Sequence, residues 1–338
     1  MTEWQNRELA SAQELAKRGS ELLRQNNFDA AEHIFNEVDA LLDMSPDTTR
    51  TQQEQEGTLR LRAQLYNELG VLHQRKNDVA TSRDYHRRSI DICNALREAG
   101  VEFRANSAAT HLNLSSVLAA ANELDEAREL GQTAVALIEE LRAEGNKEID
   151  SLALGAYQNM SLLYARLADF DAAAEQMAES LKIVNELVEG GEKRVLPQAA
   201  QTAQRLSVMQ FEAGEHERAL EWGQKAETLA EAAYEGLGKD VLSIYVVSQI
   251  NLISYNQRLG YFADAEDALW KGLEVSSNHV DILRRGLAFY DDIRKQADGR
   301  LEEGNLPREE VEDGRNDLLA IIEKIGGLPE PDATSAPV

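Results

Sequence analysis

Apolar residues recur along this chain at helical spacing, in paired runs. The clearest pair lies between Leu152 and Leu187, LALGAYQNMSLLYARLADFDAAAEQMAESLKIVNEL. Leu154, Tyr157, Met160, Leu163 and Tyr164 mark one face in its first half, and Ala173, Met177, Leu181 and Val184 mark one face in its second. The spacing predicts two amphipathic helices joined by a polar turn around Asp169 to Asp171. Asp171 is expected to open the second helix, where a carboxylate meets unpaired backbone N–H groups and the positive end of the helix dipole. One such hairpin cannot bury both apolar faces, so it needs neighbours of the same kind.

Six copies emerge when the chain is aligned on Ala173. The equivalent small residues are Ala31, Ser82, Ala127, Ala173, Ala219 and Ala265, at steps of 51, 45, 46, 46 and 46 residues. Three residues before each anchor stands Phe28, Val79, Leu124, Phe170, His216 or Phe262, mostly side chains large enough to plug the turn. Twelve before stands Gly19, Gly70, Ser115, Ser161, Ser207 or Ile253, small in five of six cases, as expected where two helices approach closely. Seven after come Val38, Ser89, Ala134, Ser180, Ala226 and Gly272, again mostly small. Gly100, Gly145, Gly190 with Gly191, and Gly236 with Gly238 punctuate the junctions, where left-handed glycines are expected to cap helices.

This pattern resembles the tetratricopeptide repeat (TPR) family over roughly residues 9 to 276. The period of 46 exceeds that family's usual length of about 34. Helices longer by one to two turns are therefore expected, similar to kinesin light chain repeats, and Ile253 departs from the small-residue position. The resemblance implies an all-α fold, a right-handed superhelical solenoid of about six hairpins with a concave groove lined by the first helix of each pair. The repeat array is expected over residues 1–277, a capping helix pair over 278–327 and a disordered tail over 328–338. Within the cap, His279 to Ala297 and Arg308 to Ile325 read as helices and Gly299 to Pro307 as a linker. Arg284, Arg285, Asp291, Asp292, Arg294 and Lys295 are expected to supply the polar outer face that a terminal repeat needs. Met44-Ser-Pro-Asp-Thr-Thr breaks the helical pattern and, with the polar run to Gly57, is the expected flexible point.

One further offset carries candidate chemistry. Fourteen residues before the anchors stand Lys17, Glu68, Asn113, Asn159, Arg205 and Asn251. Asparagine is a mediocre helix former, so three at corresponding places call for a reason. By resemblance to kinesin light chains this offset faces the concave groove, where a ladder of amides offers donors and acceptors to the backbone of an extended peptide. Arg205 would meet an acidic ligand residue, and Gln158, Gln204 and Gln249 would widen the strip. The competing reading is that these amides bond to adjacent helices and hold the repeats in register. A basic clamp for a C-terminal carboxylate is not expected, because Ala16, Ser20, Glu68, Ala109 and Asn113 occupy its places.

Charge narrows the partners. Sixty acidic residues against 35 basic give a net charge of −25, which disfavours nucleic acid and anionic membranes. It favours a protein or peptide partner of basic character, or solubility alone. The basic cluster Arg83, Arg87 and Arg88 is expected to pair locally with Asp84 and Asp91. The single cysteine, Cys93, reads as a buried apolar residue and suits a reducing cytoplasm. Neither a signal peptide nor a spanning helix is expected. Nucleotide-loop, zincin, hydrolase-elbow and calcium-loop motifs are lacking, and no two of the six histidines stand at metal-ligand spacing on one face. The sequence thus predicts a non-enzymatic interaction scaffold or adaptor that binds an extended or helical segment of a partner protein in the concave groove, monomeric, with no cofactor or metal. The alternatives are a self-associating assembly protein and a peptide-sensing regulator of a separate effector.

Overall fold

A computed structural model describes residues 2–43 and 51–329, with side chains from residue 9 onward. The break at Met44 to Thr49 and all of the tail but Leu328 and Pro329 lie outside the described residues. Within them the chain is helical throughout, with no strand. It divides into two compact units, Met1–Leu163 and Tyr164–Val338. The first unit holds α1 (Thr2–Arg24), α2 (Phe28–Asp43), α3 (Gln52–Arg75), α4 (Val79–Glu98), α5 (Arg104–Ala120), α6 (Leu124–Ala143) and most of α7 (Asp150–Arg166). The second holds α8 (Phe170–Glu189), α9 (Leu196–Glu212), α10 (His216–Leu237), α11 (Leu242–Leu259), α12 (Phe262–Ser276), α13 (Val280–Ile293), α14 (Asp298–Glu303) and α15 (Arg308–Lys324).

The second helix of every pair begins three residues before its anchor, at Phe28, Val79, Leu124, Phe170, His216 and Phe262. All six anchors are fully buried. The small residues twelve positions earlier have the steric cause expected of them. A Cβ on Gly19 would enter the Phe35 ring, and one on Gly70 would stand 2.5 Å from the His86 ring. A hydroxyl also spans the crossing: Ser82 Oγ donates to the Gly70 carbonyl at 2.8 Å, and Ser115 Oγ to the Ala127 carbonyl at 2.6 Å. Around these crossings Phe35, Leu65, Leu69 and Leu72 form a core in the first unit, and Leu269, Phe289, Tyr290 and Leu318 form one in the second. Each fully buried side chain of this size contributes about 1.5–3 kcal/mol.

A second regularity sits in the turns. The residue five before each anchor has positive φ: Asn26, Asn77, Asn122, Ala168, Gly214 and Gly260. Asparagine tolerates this region and glycine enters it freely, whereas for alanine it costs about 1–2 kcal/mol. Ala168, at φ 59°, holds that strain. The junction glycines Gly100, Gly145, Gly191 and Gly238 all have positive φ, and Gly238, with ψ −150°, takes an extended form of it rather than the left-handed helical one.

Several local expectations are corrected. Asp169, not Asp171, caps α8, accepting from the Ala172 N–H at 3.1 Å, while Asp171 in the first turn pairs with Arg218 at 2.9 Å. Arg83 and Arg87 reach Glu123 and Glu126 of the following hairpin rather than Asp84 and Asp91. The next hairpin offers carboxylates without competition from the helix's own backbone. The expected linker after Gly299 contains α14, because Leu301 and Leu306 are apolar and become buried against the second-unit core. Cys93 is buried as expected, and desolvation pushes its thiol up to about 11. Arg285, expected on an outer face, is directed toward α11.

Candidate functional site

In the first unit the ladder positions fall on the first helices of successive pairs, α1, α3, α5 and α7. Lys17 on α1 and Glu68 on α3 line a cavity of about 420 Å³ that α1, α3 and α5 enclose. Gln13, Gln64, Asn67 and Asn106 present amides to the same space. Burial pushes the Glu68 carboxyl up, against the lowering influence of Arg24 and Arg75 and a hydrogen bond from Ser20. Asn113 Nδ2 donates to Asn67 Oδ1 at 3.0 Å, joining α5 to α3. Asn159 on α7 is exposed and donates to Ser116 Oγ at 3.4 Å. The amides at this offset therefore do tie neighbouring first helices, as the register reading requires, while the cavity between α1, α3 and α5 stays open to an outside group.

In the second unit Arg205 on α9 is exposed, and Asn251 on α11 is half-buried with its Nδ2 lacking a partner among the described residues. The glutamines expected to widen the strip sit elsewhere. Gln204 is buried and its Nε2 donates to the Ile244 carbonyl and to Ser248 Oγ, both at 2.7 Å, which fastens α9 to α11. Gln249 is fully buried and donates to Glu227 at 3.0 Å, and Gln158 in the first unit is 2% exposed. The reason is angular: Gln158 and Gln204 stand one residue, about 100° around the helix, and Gln249 two residues, about 200°, back from the ladder, which turns these amides from the open face into the seam between helices.

Two further features were missed by the sequence reading. Gln13 and Gln64 stand eighteen residues before their anchors, one turn ahead of the ladder, and Gln201 shares that offset. That recurrence was the available signal. In the second unit, Arg258, Arg285 and Arg300 converge on a cavity of about 610 Å³, from three helices that no periodic offset relates. Among the described residues no cluster of His, Cys, Asp or Glu has the geometry to hold a metal ion, and no helix is long and apolar enough to cross a membrane.

A search of curated proteins finds no match to the sequence. Among solved structures, the chain is similar to BtubC from P. vanneervenii, at 16% identity over 81% of this chain and 91% of that one, with a TM-score of 0.51. It is similar to aspartyl phosphate phosphatase F from Bacillus subtilis at 13% identity over 99% and 76% of the two chains, TM-score 0.52. A signal-transduction ATPase with a tetratricopeptide repeat sensor from Pyrococcus horikoshii aligns at 12% identity over 92% of this chain and 43% of that one, TM-score 0.54. At such identities the likeness is one of fold, an all-helical TPR-like repeat architecture; it does not extend to the narrower kinesin light chain type. The sequence profile of a family of unknown function, DUF6483, matches residues 45–323.

Proposed function

The chain belongs to this family of unknown function, and from that premise we propose that it is a non-enzymatic protein-interaction module holding an extended segment of a partner protein along its first helices. The observation that carries the reading is the cavity of about 420 Å³ between α1, α3 and α5, where the amides of Gln13, Gln64, Asn67 and Asn106 stand beside Lys17 and Glu68. An amide donates and accepts at once, which suits the backbone of an extended peptide better than it suits any single charged ligand. Helices fastened to one another by Asn113 and Asn67 present those amides in fixed positions, so the ordering cost on binding falls on the partner. The repeat sensor of the Pyrococcus horikoshii ATPase supports a narrower version, in which the bound segment is a signal read by a separate effector.

Gln13 and Gln64 are exposed, so replacing them leaves the core untouched. A pull-down from extract of the source cells, followed by titration of the captured segment, tests the reading. A partner that binds the wild type and loses about tenfold or more in affinity with Gln13→Ala/Gln64→Ala, with circular dichroism unchanged, is the expected result. A partner held equally by both proteins, or an extract that yields none, overturns it.

A further inference from the structure

The second unit holds a cavity whose chemistry runs against that of the whole chain. It is lined by Ser254, Gln257 and Arg258 of α11, Arg285 and Asp292 of α13, and Arg300 of α14. Three guanidiniums against one carboxylate converge there in a protein of net charge −25. Arg300 is partly satisfied, with Glu303 at 3.1 Å and its guanidinium over the Phe262 ring. The other two are not. Arg285 is half-buried, and its polar partners are all neutral: Nε donates to Ser254 Oγ at 3.0 Å and a terminal nitrogen donates to Gln257 Oε1 at 2.5 Å. Arg258 donates to His216 Nε2 at 3.2 Å. Among the described residues neither arginine forms an ion pair.

A guanidinium remains charged at any ordinary pH, and withdrawing it from water without a counter-charge is unfavourable. Burial lowers the affinity of Arg285 for its proton, with Asp292 the only charge acting the other way. Elsewhere on the surface the abundant acids settle such cations, as Glu102, Glu140 and Glu144 do around Arg104. Here Ser254 and Gln257 fix the Arg285 fork in place while leaving its second terminal nitrogen uncommitted. The walls add apolar surface from Phe211, Phe262 and Ile293.

We propose that this pocket binds a carboxylate of a partner peptide, an acidic side chain flanked by apolar residues or a free C-terminus, with Arg285 and Arg258 as its ligands. Ser254 and Arg258 lie three and seven residues after Asn251, on the same face of α11, so the carboxylate would anchor a segment lying along that face. This assignment rests on the reading that the first helices hold a peptide. It reverses the expectation of a basic partner: the overall charge is a property of the solvated surface, whereas recognition follows the local charge of the cavity.

The probes are two labelled, amidated peptides, Phe-Glu-Phe-Glu-Phe and its Gln counterpart, with a free-acid version of the Gln peptide as a third arm. Binding by fluorescence anisotropy is measured to wild type, Arg285→Met and Arg258→Gln, alongside unfolding in urea. The Glu peptide is expected to bind about tenfold or more tightly than the Gln peptide. That preference should vanish in both variants and shrink at about 0.3 M salt. The free-acid arm separates a terminal carboxylate from a side-chain one. Arg285→Met is expected to unfold at the same or a higher urea concentration than wild type, since it removes an uncompensated charge; exposed Arg258→Gln supplies the binding result independently of that outcome. Equal affinity for the Glu and Gln peptides would overturn the carboxylate pocket while leaving the peptide-binding reading intact, and failure of every peptide to bind would overturn both. Inorganic phosphate that binds wild type but not Arg285→Met, with no preference for the Glu peptide, would make this a small-anion site and overturn the peptide assignment. A Glu preference that survives Arg258→Gln, together with an Arg285→Met protein that is less stable than wild type, would make Arg285 a scaffold residue and sink the proposal.

Discussion

In the first two hairpins the tightest approaches are filled from within: the Phe35 ring of α2 occupies the notch at Gly19 of α1, and His86 of α4 occupies the notch at Gly70 of α3. From α6 onward the arrangement changes. The notch at Gly131 of α6 receives Met160 of α7, that at Gly223 of α10 receives Tyr255 of α11, and that at Gly286 of α13 receives Leu269 of α12. The early hairpins lock on themselves, and the later ones lock on their neighbours. In a stacked array, stability is the sum of a term for each repeat and a term for each interface. The two regions place the same steric device in different terms of that sum.

The sharpest way to break this comparison is to remove a neighbour's plug. Tyr255 is buried, its ring is tilted against that of Phe211 with centroids 4.8 Å apart, and its hydroxyl lies within hydrogen-bonding distance of Ser207 Oγ, 3.1 Å. Tyr255→Ala should cost about 3–5 kcal/mol in urea unfolding. Hydrogen exchange should show the loss shared between α9, α10 and α11 rather than confined to α11. Protection lost in α11 alone would mean that the later hairpins are as self-contained as the early ones.

A somewhat smaller effect separates the two self-locking hairpins from each other. His86 takes the place that Phe35 holds, but both its ring nitrogens are buried without a partner among the described residues. Burial pushes its pKa down to about 4 from 6.5. The unfolded chain therefore binds more protons in this window, so the stability that depends on a neutral ring is complete above about pH 6.5 and drains away as pH falls toward 4, by about 3 kcal/mol. Asp39, Glu68 and Glu266, whose carboxyls burial pushes up, act in the opposite sense. They are common to both proteins when wild type is compared with His86→Phe. Urea midpoints of the two should diverge as pH drops through this window; parallel curves would show that the ring finds a partner when protonated.

The smallest effect concerns the turns, where asparagine serves at Asn26, Asn77 and Asn122, and Ala168 and two glycines serve later. Ala168→Gly should stabilise by about 0.5–1 kcal/mol through relief of the left-handed strain, partly offset by the greater freedom of the unfolded chain. Asn122→Ala should destabilise by a similar amount. A thermal shift of the same sign for both would show that something other than backbone conformation sets the choice.

Much of the fold could be read from the sequence because helix pairing here is steric and periodic. Small residues at fixed offsets located the start of every second helix, since those offsets follow from where two cylinders touch. The capping acid was misplaced by two residues because Asp169 and Asp171 are both suited to a helix start, and only the left-handed turn at Ala168 decides between them. Arg83 and Arg87 were paired within their helix because spacing reveals local neighbours and conceals those in the next hairpin. The candidate site was legible only in part. Asn113, Asn159, Arg205 and Asn251 were found on first helices as expected, yet Gln158 and Gln204, one residue away, turn into the seams. The arginine pocket was hidden from the pattern, because Arg258 shares its offset with Arg24, Arg75 and Arg166 while Arg285 and Arg300 lie beyond the last repeat, where no offset marks them.

The hydroxyl at the helix crossing has a consequence for how such a chain can change over generations. In the second hairpin Ser82 of α4 donates to Gly70 of α3, and in the third Ser115 of α5 donates to Ala127 of α6, so giver and receiver have exchanged helices. The requirement belongs to the pair rather than to either site. A lineage can pass through a form with serine on both helices and then lose either one, never breaking the bridge on the way. Substitutions at these two positions should accordingly be correlated in descent even where each position, taken singly, looks free to drift.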